Sequence, residues 1–237
     1  MKILSIDSST KAASASIIDN DKIISEYFLN TGFTHSETLM PMINSALEQS
    51  AVKLSDIDLI AVTLGPGSFT GVRIGVASAK GLAFSGNIPT VGVSALETLA
   101  YNLSGLKGEC LIYAVIDARC GQVYNAAFKY NEGAIERITD DRVIKITDLA
   151  IEIKNADSSL PIYLLGDGTY PCLKEEGFPE VLSVPAALNE IRASSAAFLA
   201  KKIYSECGAQ DSASIQPIYL QLPQATRELK KKTENKA

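Results

Sequence analysis

Residues 3–17 read ILSIDSSTKAASASI and residues 112–128 read IYAVIDARCGQVYNAAF. Each is an apolar run ending in an aspartate (Asp7, Asp117), then a small polar turn, then a second apolar run. Short apolar runs bounded by turn residues suit strands covered on both faces. Residue identity between the two stretches is slight. The shared plan, met once in each half of the chain, predicts a duplication.

Working outward, the first half reads as strands at Lys2–Asp7, Ala13–Ile18 and Lys22–Phe28. Asp19-Asn20-Asp21 gives the last two a tight turn, because Asn and Asp tolerate left-handed backbone. A helix follows from Thr34 to about Ser50, with a Thr34/Glu37 capping box predicted at its start and a kink at Pro41. Leu39, Met42, Ile43, Ala46 and Leu47 share one face of it. Next come a strand at Asp58–Leu64, a glycine-rich turn, a helix from about Arg73 to Phe84 and a strand at Thr90–Val93. The second half repeats the order: strands at Leu111–Asp117, Gln122–Lys129, Ala134–Ile138 and Arg142–Ile146, a helix at Asp148–Asn155, a strand at Pro161–Leu165, a helical turn at Pro171–Glu176, a strand at Val181–Val184 and a final helix at Ser194–Cys207. This is an α/β chain of two tandem ribonuclease-H-like βββαβα units. The predicted division is residues 1–103, residues 104–223 with a final helix able to pack back on the first unit, and a polar tail at 224–237.

Composition narrows the function classes. Of 237 residues, 46% are hydrophobic and 21% charged, near globular averages. The net charge is −5, which argues against gripping nucleic acid through a blanket basic surface. No apolar run reaches the length of a membrane span, and Met1–Asp7 turns polar too soon for a signal peptide. Cys110, Cys120, Cys172 and Cys207 form no CxxC pair, so neither a zinc site nor a disulfide framework is expected, and a reducing cytoplasm is the natural compartment. His35 is the one histidine. A mechanism needing two in one chain is excluded.

Asp7-Ser8-Ser9-Thr10 and Asp117-Ala118-Arg119 stand at equivalent strand ends. Hydroxyls and amides there can surround an oxygen-rich group while an aspartate holds a magnesium-bound water. Each can equally be a turn that satisfies its own backbone. Gly166-Asp167-Gly168 either admits a purine ring or turns the chain. Gly65-Pro66-Gly67-Ser68-Phe69-Thr70-Gly71 is not a P-loop, because Arg73-Ile74 stands where Lys and Ser/Thr belong. Gly71, Gly75, Ala79 and Ala83 recur every four residues, a stripe suited to close packing against a partner helix or against the chain's own sheet. Pro217-Ile218-Tyr219-Leu220 reads as an extended docking segment, and Lys230-Lys231-Lys232 as a solvated tail within reach of RNA phosphates.

Together ILSIDSST, THSETLMPMI, LGPGSFTGVRIGVASAKGLA, VGVSALETLA, IDARCGQVY and PIYLQLP resemble the TsaB (YeaZ) family, six motifs in order over most of the chain and densest from Met1 to about Leu99. The resemblance implies an actin-like ATPase superfamily fold. It implies a non-catalytic subunit of the machinery that makes N6-threonylcarbamoyladenosine in tRNAs reading codons that begin with adenine. Its implied partners are the catalytic paralogue TsaD, the ATPase TsaE and, without TsaD, a second copy of itself, with tRNA reached only through the complex. The paralogue's two metal-box histidines fall here on Ala95 and Leu99, with Glu97 kept between them. No cofactor is required on this view, though ATP or ADP with magnesium has a place in the cleft or at the subunit interface. The nucleotide residues would be Asp7, Ser8, Ser9, Thr10, Asp117, Arg119, Gly166, Asp167 and Gly168. The expected partner seam comprises His35, Leu39, Met40, Met42, Ile43, Gly71, Arg73, Gly75 and Ala79. The competing enzyme reading is a small-molecule kinase or ATPase working through Asp7 and Asp117. A ribonuclease-H nuclease lacks its second carboxylate, since the fourth strand ends in Leu64-Gly65-Pro66, and a peptidase lacks a metal box and a nucleophile elbow.

Overall fold

A computed structural model describes residues 1–32, 34–157 and 159–221. The predicted tail at 224–237, with Lys230-Lys231-Lys232, lies outside them, as do Leu222 and Pro223. The first sheet is built from β1 (Lys2–Asp7), β2 (Ala13–Asp19), β3 (Lys22–Leu29), β4 (Leu59–Thr63) and β5 (Thr90–Val93), in the order β3-β2-β1-β4-β5. β1 pairs antiparallel with β2 and parallel with β4. The second sheet is built from β6 (Glu109–Arg119), β7 (Gln122–Asn131), β8 (Ala134–Arg137), β9 (Arg142–Lys145) and β10 (Ile162–Leu165). Its order, β8-β7-β6-β10, is that of the first sheet's first four strands, again antiparallel at β6–β7 and parallel at β6–β10. β9 pairs with the opposite end of β7 from β8.

The side-chain period of two sorts each strand between two cores. Leu4 and Ile6 of β1, with Ile60 and Val62 of β4, face helices α1 (His35–Ser50) and α2 (Phe69–Gly86). Ile3, Leu59 and Ala61 face α6 (Ala193–Cys207), the final helix, which crosses back onto the first sheet. In the second sheet Ile112, Ala114 and Ile116 face α3 (Ala95–Tyr101), while Leu111, Tyr113 and Val115 face α4 (Ile146–Lys154) and the short α5 (Thr169–Lys174).

Three local expectations are corrected. Helix α2 begins at Phe69, not Arg73, because Ser68 caps it by accepting the Gly71 amide at 3.2 Å. The Thr34/Glu37 capping box does not form: the Thr34 hydroxyl donates to the Glu37 carboxylate at 2.8 Å, and no side chain caps the backbone there. The strand expected at Val181–Val184 shrinks to one parallel bridge, Tyr163 to Leu182, at the place of a fifth strand. Pro179 and Pro185 bracket it and supply no donors. Helix α3, absent from the sequence reading, is capped by Ser94, whose hydroxyl accepts the Glu97 amide. Helix α1 continues through Pro41, whose ring lies on the exposed face.

Candidate functional site

A cavity of about 700 Å³ opens between the β1–β2 turn, the β6–β7 turn and the start of α2. Ser9, Thr10 and Lys11 form one wall, Asp117, Ala118 and Arg119 the opposite one, and Pro66–Gly71 the floor toward α2. His35 closes one side, its Nε2 2.7 Å from the Thr10 carbonyl oxygen. Tyr219, Leu220 and Gln221 close another.

The two signature aspartates serve their own turns first. Oδ1 of Asp7 accepts the Ser9 amide at 3.1 Å, and Oδ1 of Asp117 accepts the Arg119 amide at 2.8 Å, the same spacing of two residues. They differ in where they point. Asp7 has the parity of Ile3 and faces away from α2, wholly buried, and it does not line the cavity. Its Oδ1 also accepts the hydroxyls of Ser9 and Thr63, while Oδ2 has no hydrogen-bond partner among the described residues. Burial pushes its carboxyl above the ordinary range, against the pull of those donors. Asp117 does line the cavity, 3.8 Å from Arg119 Nε. Arg119, Cys120 and Gly121 are consecutive left-handed residues (φ 68, 54 and 70°) that turn β6 into β7 and set the arginine on the rim.

Asp167 joins this wall by accepting the Asp117 amide at 3.0 Å. Burial raises its carboxyl, and the Asp117 charge adds to the rise against the Asp117 amide. Glu190 is raised chiefly by burial, then by Asp167 and Asp7. Gly166 and Gly168 do not open a purine slot. A side chain on either would run into the β6 backbone at Val115 and Ile116, so the missing Cβ atoms serve close packing of one turn on one strand. Ser8 is likewise buried, its hydroxyl donating to the Gly71 carbonyl at 2.9 Å. With Asp7 turned away and both glycines filled by backbone, these residues do not fit a magnesium-bound nucleotide in the manner expected. Among the described residues no group of three or more His, Cys, Asp or Glu is placed to hold a metal.

The predicted partner seam divides. Leu39, Met42, Ile43, Gly71, Gly75 and Ala79 are buried within the first unit, because α1 and α2 lie on the sheet and turn their apolar and small residues toward it. Their assignment to an outer surface is corrected. Met40 and Arg73 remain exposed, and His35 belongs to the cavity. The outward stripe of α2 is instead Thr70, Arg73, Ala77, Gly81 and Phe84, recurring at three and four residues. Phe84 is 87% exposed, the most of any large apolar residue described. Its position at the end of the glycine-rich helix was the available signal in the sequence.

Residues 92–99 run from the end of β5 through Ser94 into α3. Ala95 and Leu99 lie in the apolar cluster between α3 and the second sheet. Glu97 is held by Arg137 at 2.6 Å, and Arg137 also pairs with Asp141 at 2.6 Å.

Two sheets whose first four strands share one order, with a cavity lined by the first turns of both, have the actin-like ATPase superfamily fold. Residues 29–226 match a family model described as TsaD: tRNA N6-adenosine threonylcarbamoyltransferase. The tRNA threonylcarbamoyladenosine biosynthesis protein TsaB of Bacillus subtilis (strain 168) is 37% identical over 230 residues, covering 95% of this chain and 96% of the relative. The TsaB of Escherichia coli (strain K12) is 40% identical over 135 residues, 57% of this chain and 58% of the relative. The solved structure of YeaZ from Pseudomonas aeruginosa superposes with a TM-score of 0.79 at 27% identity, covering 92% of this chain and 99% of that one. The chain belongs to the TsaB (YeaZ) family of tRNA threonylcarbamoyladenosine biosynthesis proteins. No helix among the described residues is long and apolar enough to cross a membrane.

Proposed function

We propose that this chain is a non-catalytic subunit of the cytoplasmic complex that forms N6-threonylcarbamoyladenosine in tRNA, binding and activating TsaD and bridging to TsaE. The observation that carries this reading is the fate of the metal-box stretch. Alanine and a buried leucine offer no lone pair to a metal, and Glu97 is committed to Arg137 at 2.6 Å. The chain's one histidine lies elsewhere, against the Thr10 carbonyl. A kinase or ATPase reading is less well supported, since the first-strand aspartate is buried off the cavity.

The surface that would receive TsaD, or a second copy of this chain in its absence, is the outward face of α1 and α2. Met40 and Pro41 on α1 and Arg73, Ala77, Gly81 and Phe84 on α2 form a face that is partly apolar and low in profile, suited to another helix pair. Mild acidity is consistent with this role, because the chain's main contact is then a protein and tRNA is reached through the complex.

The decisive experiment is reconstitution of tRNA, threonylcarbamoyl-adenylate and TsaD, with and without this protein. Transfer is expected only when TsaD is present, and faster with both. Transfer by this chain without TsaD would sink the assembly reading.

A further inference from the structure

Beyond helix α6 the chain runs back across the first unit. Gln210 is fixed to Thr90 by a backbone bond of 2.8 Å, Ile215 is buried in the core beneath α1 and α2, and the Ile218 amide donates to the Leu64 carbonyl at 2.8 Å. Past that point Tyr219 and Gln221 are held through their side chains. Tyr219 stacks on Phe69 with ring centroids 4.7 Å apart, and its hydroxyl accepts from Arg73 Nε at 2.7 Å. The Gln221 amide group donates to Gln122 at 3.1 Å, reaching the first residue of β7 in the second sheet. Tyr219, Leu220 and Gln221 therefore form a strap that walls the cavity and spans both halves.

Arg73 is only half used by this arrangement. Its guanidinium lies 3.8 Å over the Phe69 ring and spends Nε on Tyr219, but among the described residues its terminal nitrogens meet no acceptor. It also belongs to the exposed stripe of α2. Paired N–H groups of a guanidinium match a carboxylate bidentately, and the planar group keeps its stacking while doing so.

We infer that Arg73 is the latch of the strap, and that a carboxylate presented by a protein docking on α2 tightens the strap over the cavity. This rests on the assembly reading above. A carboxylate on the terminal nitrogens leaves the Nε bond to Tyr219 intact and removes the side-chain freedom that opposes it. Docking and closure are then coupled, and by linkage each favours the other.

Two readouts follow the strap: exchange of the Ile218 amide, and carbethoxylation by diethyl pyrocarbonate of His35, the chain's one histidine and a cavity residue. In the isolated full chain, Arg73→Met is expected to speed both by about fivefold or more at an unchanged melting temperature. Unchanged rates would overturn the latch. Adding TsaD is expected to slow both in the unsubstituted chain. Tyr219→Phe keeps the ring and loses the acceptor, so it should still co-elute with TsaD while losing the slowing. Equal slowing in Tyr219→Phe would mean direct shielding and would also overturn the latch. If TsaD does not co-elute with the unsubstituted chain, the assembly reading and the coupling fall together, while the Arg73→Met comparison still decides the latch.

Discussion

The hydroxyl of Ser8 occupies the space that a side chain on Gly75 would need: a Cβ placed there would lie 2.6 Å from Ser8 Oγ. The same β1–β2 turn excludes a side chain from Gly67 and Gly71, through the carbonyl groups of Ser9 and Ser8. Helix α2 is glycine-rich on this side because it is pressed against the turn that carries the first signature aspartate. That contact sets the wall and floor of the cavity relative to each other.

Glycines in one helix should therefore respond with opposite sign. Gly75→Ala is expected to destabilise by about 1–3 kcal/mol, the usual range for overpacking a tight contact. Gly81 has nothing within 4 Å of its Cβ position, so Gly81→Ala should stabilise by about 1 kcal/mol through helix propensity alone. Urea unfolding of the two variants measures both, and equal shifts would show that the turn does not constrain the helix.

The outward stripe offers the proper probe. Phe84→Ser and Ala77→Glu alter exposed positions, so melting temperatures should stay within the small range of surface substitutions. Co-elution with TsaD should weaken by tenfold or more, about 1.4 kcal/mol, as for residues near the centre of an interface. Undiminished binding by both folded variants would move the docking face elsewhere.

Much of this was legible before the structure. The succession of strands along the chain and its repetition follow from the apolar runs, the aspartates that end them and the turns between. That Asp7 shares the parity of Ile3 and Ser5 is legible too, but not that this side of β1 faces α6 and not the cavity, which is why Asp7 reads as a nucleotide residue from sequence. The sequence allows the final helix to pack back on the first unit, and α6 does so; what it does not disclose is which face of the sheet α6 takes, and that α1 and α2 cover the other. Periodicity marks which residues of a helix are apolar, not whether the surface receiving them is the chain's own sheet or another molecule. The outward reading of Leu39, Met42, Ile43 and the small residues of α2 fails for that reason. Tyr219 reads as part of an extended segment, but its partner Arg73 lies 146 residues away, a separation over which no local pattern speaks.

The four cysteines should separate cleanly by environment. Cys120 and Cys207 are exposed, and Cys110 and Cys172 are buried. Burial raises the Cys110 thiol and pushes Cys172 up to about 12, with Asp117 and Glu175 adding to the latter. Thiolate is the reactive form. Titration with a disulfide reagent at pH 8 should find two fast thiols in the native chain and four in denaturant. Fast reaction of a third would mean that the second unit opens readily.

Asp7 supplies a pH test whose sign is fixed by burial. A carboxyl raised in the folded state holds its proton more tightly there than in the unfolded chain, so folding stability falls as pH rises from the ordinary value of 3.8 through the raised one. Asp7→Asn keeps an oxygen to accept from Ser9 and Thr63 and cannot ionise. The stability of the variant relative to the native chain should therefore increase across that window and level off above it. Asp167, raised by burial and by the Asp117 charge, will slope the same way in both proteins, and the exposed Asp157, lowered by Ser159, slopes oppositely in both; Glu190, raised chiefly by burial, loses in the variant only the part of its rise that the Asp7 charge adds, so that part counts with Asp7. Only the difference between the two curves belongs to Asp7. A constant difference from pH 3 to pH 8 would mean that Asp7 ionises in the fold as readily as in water, and that its buried Oδ2 meets a compensating group.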